Sequence, residues 1–179
     1  NRFTDNRAGA IDFGAIGSLF TGNSFFNNGR SGLEVRNGAT GAIVTDNCFG
    51  GNGVTPASFV TTTHGGIRID DDGTPGATTG TQIHNNNFLG DNVPNGVTDL
   101  TSASTNADGA ATGNWWGCPT GANTGTCDST TANVDASGFL VAPAVGTPCT
   151  AALIGTCDLD GWEIAKHLNR HSAPGVTAD

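Results

Sequence analysis

"NSFFNNGRSG", residues 23–32, sets two adjacent phenylalanines among asparagines and ends in a glycine-rich run. That composition suits neither a helix nor an ordinary exposed loop. The same pattern returns along the chain as NRFTDN at 1–6, NCFGGN at 47–52, NNFLGDN at 86–92 and a degenerate NWWG at 114–117. The leading asparagines are separated by 22, 24, 39 and 28 residues, and other columns keep phase with them. Gly17, Gly41 and Gly80 stand six positions before an Asn, and Phe20, Val44 and Ile83 stand three before. Phe3, Phe25, Phe49, Phe88 and Trp116 follow two after. Asp108 and Ala111 break the columns in the last copy. Self-similarity at this period marks a repeat architecture.

A leucine-rich repeat is excluded, because leucine is scarce and never falls in the L-x-x-L-x-L frame. The runs LEVR (33–36), AIVT (42–45), GIRID (66–70) and TQIH (81–84) instead alternate apolar with polar residues and are bounded by Gly, Asn and Asp. They are too short for helices and read as strands. The pattern predicts an all-β fold, a coil of three short strands per turn stacked at strand spacing, so that five turns rise roughly 24 Å. Identical side chains then sit above one another. Asn23, Asn47 and Asn86 are predicted to point inward as a hydrogen-bonded ladder, with phenylalanines stacked beside them. Gly and Asn supply the positive φ that tight corners require.

Composition narrows the function. Sixteen acidic against seven Lys and Arg give a net charge of −9, which argues against nucleic acid or an anionic membrane surface as partner. No apolar run reaches the roughly 18 residues that a membrane span needs. The first repeat starts at Asn1 with no capping segment, and further turns N-terminal to Asn1 are expected. Cys118 and Cys127 bracket CPTGANTGTC, and Cys149 and Cys157 bracket CTAALIGTC. Both spacings read as short disulfide clips in an oxidising compartment, with zinc as the alternative and Cys48 left over in the outward column of Ser24 and Asn87.

The coils occupy residues 1 to about 117, with insertions at 53–65 and 71–80 that belong on the outside, and GNWWGCPTGANTGTCDSTTANVDASGFLVAPA at 113–144 closes the open end. At these residues the chain resembles the right-handed, single-stranded parallel β-helix proteins of the pectate-lyase-like superfamily, in particular the C-terminal part of secreted bacterial members. The resemblance covers 1–144. It implies a three-sheet solenoid, an extracellular location and a polysaccharide or cell-surface glycan as partner. It does not fix an activity, since one fold hosts many functions. Residues 145–179 form a separate extension, where Asp160 to Glu163 reads as a capping box and Trp162, Ala165 and Leu168 as one face of a short helix. DLDG at 158–161 fails as a calcium loop, because His167 stands where the bidentate acid belongs. His167 and His171 lack a third metal ligand and read as a solvated helix face.

The densest polar cluster is HGGIRIDDDG at 64–73. With Ile67 and Ile69 inward, Arg68 and Asp70 project outward, Asp71 and Asp72 open the next loop, and His84 comes from a later strand. Arg68, Asp70 and His84 are the candidate ligand-binding residues, and Asp70, Asp71 and Asp72 the candidate calcium ligands. In the resemblance, acids that hold calcium beside a basic residue are the apparatus of a polysaccharide lyase. Glycoside hydrolysis would need two carboxyl groups about 5–10 Å apart. Against catalysis, aligned strands set Glu34 beside Arg68 and Arg36 beside Asp70, pairs expected to neutralise one another. That leaves Asp71, Asp72 and His84 unpaired, with Lys166, the single lysine, in the tail. The residues therefore predict a non-catalytic extracellular module, stalk-like, adhesin-like or glycan-binding, without a resident cofactor. The alternative is a fragment of a polysaccharide lyase or glycoside hydrolase.

Overall fold

The computed structural model describes residues 1–53, 64–73, 78–91, 95–101, 105–106 and 113–149. The helix expected at 160–168 and the histidines at 167 and 171 lie outside them. Strands β1 (Arg2–Thr4), β2 (Ala10–Phe13), β3 (Leu19–Thr21), β4 (Ser24–Phe26), β5 (Ser31–Arg36), β6 (Ile43–Thr45) and β7 (Cys48–Gly50) are followed by β8 (Gly65–Asp70), β9 (Gln82–His84) and β10 (Asn87–Phe88). Four more, β11 (Asn95–Asp99), β12 (Thr105–Asn106), β13 (Ser129–Thr130) and β14 (Val134–Asp135), complete the set. All four runs read as strands from the sequence fall on β5, β6, β8 and β9.

The strands form three sheets, ordered β1-β4-β7-β10, β13-β11-β8-β5-β2 and β14-β12-β9-β6-β3, and every pair is parallel. From β1 to β12 the chain visits the first, second and third sheets in rotation, a topology compatible with a parallel solenoid. Registers follow the repeat: Phe3↔Phe25↔Phe49↔Phe88 on the first sheet, Leu33↔Ile67↔Val97 on the second and Phe20↔Val44↔Ile83 on the third. These side chains converge on one core that also takes in Val35, Ile69 and Trp116.

Two features hold the first sheet. Phe3, Phe25, Phe49, Phe88 and Trp116 stack with centroids 4.9, 4.9, 5.1 and 4.7 Å apart, the spacing of parallel strands. Beside them runs the amide ladder expected from the repeat, in which Asn1, Asn23, Asn47 and Asn86 each donate Nδ2–H to the next Oδ1, ending on Asn114, at 3.0–3.1 Å. The backbone N–H groups of Asn23, Asn47 and Asn86 donate to the same oxygens at 2.9 Å. Corner backbone is thus satisfied from inside, where water cannot reach.

Glycine is demanded at two kinds of place. Gly17, Gly41 and Gly80 take φ of 69°, 65° and 69°, the left-handed region the repeat anticipates. Gly32 is needed for space: a Cβ there would lie 2.8 Å from the Gly66 carbonyl and 2.9 Å from both Phe25 Cβ and Phe49 Cδ1.

The cysteine pairing departs from expectation. Cys118 and Cys127 are bridged, but Cys149 is bonded to Cys48 rather than to Cys157, which lies outside the described residues. Cys48 does align with Ser24 and Asn87, and it is buried and disulfide-bonded rather than left over. The reason is a strap: Ala144 and Thr147 hydrogen-bond the Asn87 side chain, which carries the following Cys149 over the same column. Residues Asn1–Cys149 form one compact unit, so the strap belongs with the repeats.

Candidate functional site

The outer face of the second sheet carries the polar cluster. Alternation along β5 and β8 buries Leu33, Val35, Ile67 and Ile69, so their neighbours face away from the core. The register then builds two outer columns, Ile11–Glu34–Arg68–Thr98 and Phe13–Arg36–Asp70.

The strands align as expected, but the charges do not pair across them as expected. Glu34 and Arg36 bond within one strand, Nη1 to Oε2 at 2.8 Å, and Arg68 pairs with Asp70 two residues on. Arg30 approaches Glu34 from the other side at 3.6 Å. The anticipated Glu34–Arg68 and Arg36–Asp70 pairs are replaced because a long guanidinium reaches along its own strand as readily as across the 4.8 Å gap to the next. Arg36 also reaches past Asp70 to Asp72, Nε to Oδ2 at 2.5 Å, so Asp72 is not unpaired.

The three consecutive acids go three ways. Asp70 takes Arg68 and the Asp72 backbone N–H, Asp72 takes Arg36, and buried Asp71 accepts the Thr78 backbone N–H at 2.8 Å. Among the described residues no three His, Cys, Asp or Glu side chains converge to hold a metal ion. The carboxyls of Asp70, Asp71 and Asp72 are thus engaged by three different sets of partners. His84 stands on β9 in the third sheet, in register with Thr45, and so belongs to a different face from Arg68 and Asp70.

His64, Glu34 and Thr98 were not singled out by sequence reasoning as binding groups. His64 is buried, and its imidazole is lowered to about 4, first by burial and then by the charges of Arg30 and Arg68, with Glu34 opposing. It is therefore neutral at pH 7. Four buried polar atoms in this cluster have no hydrogen-bond partner among the described residues: Glu34 Oε1, His64 Nδ1, Arg68 Nε and Thr98 Oγ1. Such atoms are rare in native structures. At the rim Phe13 is 62% exposed, with the Arg36 guanidinium 5.9 Å from its ring centroid.

The chain matches no protein-family model, no curated protein and no solved structure.

Proposed function

We propose that the chain is a right-handed parallel β-helix of the pectate-lyase-like type, acting outside the cell as a non-catalytic module that binds a neutral glycan on the outer face of the second sheet. The observation that carries this reading is the accessible aromatic ring of Phe13 at the rim of a face whose charges are mutually paired, with the Arg36 guanidinium 5.9 Å from the ring centroid. Exposed Phe13 offers the apolar surface that a pyranose ring covers, next to planar charged groups. Arg30, Arg36 and Arg68 are balanced by Glu34, Asp70 and Asp72, and the net charge of −9 disfavours a polyuronate.

Two disulfides, and the lack of any helix among the described residues long and apolar enough to cross a membrane, are compatible with the extracellular setting. Further repeats stacked on the edge strands β2 and β3 are part of the proposal, supported by exposed Ile11, Ile16 and Leu19 at that edge. The test is calorimetric titration with neutral and acidic polysaccharides, comparing wild type with Phe13→Ala.

One observation favours the second reading, a fragment of a polysaccharide lyase or glycoside hydrolase: His64 is unprotonated beside Arg68, the state a general base needs. Turnover assays on the same polymers separate the two.

A further inference from the structure

A second ladder runs parallel to the first, through Asn6, Asn28, Asn52, Asp91 and Asp128. The backbone N–H of Asn6 donates to Asn28 Oδ1 at 3.1 Å, and Asn28 Nδ2 and Asn52 Nδ2 each donate to the next Oδ1 at 2.9 Å. The same Nδ2 groups also reach back to the carbonyls of Phe3 and Phe25, at 3.1 and 3.0 Å. Two carboxyl groups follow the amides. Asp91 Oδ1 fills the acceptor place, taking both the backbone N–H and the Nδ2–H of Asn52. By equivalence with Asn28 and Asn52, whose Nδ2 groups donate to the next Oδ1 and back to the Phe3 and Phe25 carbonyls, Asp91 Oδ2 takes the place of a donor, with Asp128 Oδ1 and the Phe49 carbonyl as the equivalent acceptors.

We propose that Asp91 is a neutral carboxylic acid that replaces an asparagine in this ladder, its Oδ2–H donating where Nδ2–H would. The Asp91–Asp128 pair is then a proton-dependent joint between the repeats and the closing segment. Asp91 is 7% exposed, and its Oδ2 is buried with no donor among the described residues directed at it, the position of an oxygen that must carry its own hydrogen. Asp128 is the member that keeps the charge, because each of its oxygens already accepts a backbone N–H, from Gly90 at 2.9 Å and Asp91 at 3.0 Å.

The surroundings support the assignment. Gly66 of β8 lies so close that a Cβ on it would stand 2.7 Å from Asp91 Oδ2, and it brings no charge. Asn52 contributes its amide, and Asp128 is the one charged group among the described residues acting on Asp91. Burial, then the charge of Asp128, hold the Asp91 carboxyl well above the usual carboxylate range against the pull of the Asn52 bonds. On ionisation the proton leaves to solvent and two like charges face one another in the core.

The sign follows from linkage. A carboxyl whose folded value is raised stabilises fully below its unfolded value and loses that contribution as pH rises to the folded value. Thermal unfolding of the wild-type chain and of Asp91→Asn between pH 4 and 9 tests this. Wild type should lose about 3 to 5 °C per pH unit relative to Asp91→Asn within that window, since one proton is worth 1.36 kcal/mol per unit and a protein this size shifts about 2–4 °C per kcal/mol. A constant offset between the two profiles would overturn the proposal. Carbon-detected NMR titration of the wild-type Asp91 carboxyl needs no variant. Titration in the ordinary carboxylate range would overturn it equally.

Discussion

Cys48 on β7 is covalently joined to Cys149, 101 residues later in the chain. The bond ties the segment after the closing turn back to the middle of the first sheet. In the chain-entropy view a loop of this length stabilises by roughly 4–5 kcal/mol. Cys48→Ser should therefore lower unfolding free energy by about 2–5 kcal/mol. Peptide mapping without reductant should recover Cys48–Cys149 and Cys118–Cys127, leaving Cys157 for the alkylating reagent. Recovery of Cys149–Cys157 would refute the pairing.

Asn47 sits mid-ladder, accepting two hydrogen bonds from Asn23 and donating to Asn86 Oδ1, Phe20 O and Thr45 O. Asn47→Leu leaves these groups buried and unpaired. A loss of about 3 kcal/mol or more is expected from chemical denaturation, since each orphaned group costs about 1–3 kcal/mol. A loss under 1 kcal/mol would mean the ladder is ornamental.

Gly32→Ala tests the close approach of the second sheet to the aromatic stack. The new methyl meets backbone and two ring-bearing side chains below 3 Å, so a destabilisation of about 1–3 kcal/mol is expected. A neutral outcome would show that the stack can move aside.

His64 gives a pH signature of the opposite sign to Asp91. Its folded value is lowered to about 4, so the stability it contributes is present above about 6.5 and lost as pH falls toward 4. His64→Gln should show a flatter acid limb in thermal unfolding than wild type. Identical acid limbs would place His64 in contact with water.

The asparagine and phenylalanine columns were legible because one residue type recurs at one register position, which is all that a stacked ladder requires. The second ladder was not, because Asp91 and Asp128 change the residue type at its last two positions. Strand registers at Glu34–Arg68 and Arg36–Asp70 followed from the repeat. Their ion pairs did not, since register fixes Cα atoms while the reach of an arginine spans several choices. Cys149 was misassigned because short spacing suggested Cys157, whereas the strap held by Asn87 carries Cys149 over Cys48.

The outer face of the second sheet is most directly tested by titrating neutral polysaccharides into wild type, Phe13→Ala and Arg68→Ala while assaying the same mixtures for cleavage. Saturable binding without turnover, weakened about tenfold or more by Phe13→Ala, is the predicted result, as expected for a contact worth about 1.4 kcal/mol. Cleavage of the polymer, abolished by Arg68→Ala with thermal unfolding unchanged, would contradict it and establish an enzyme.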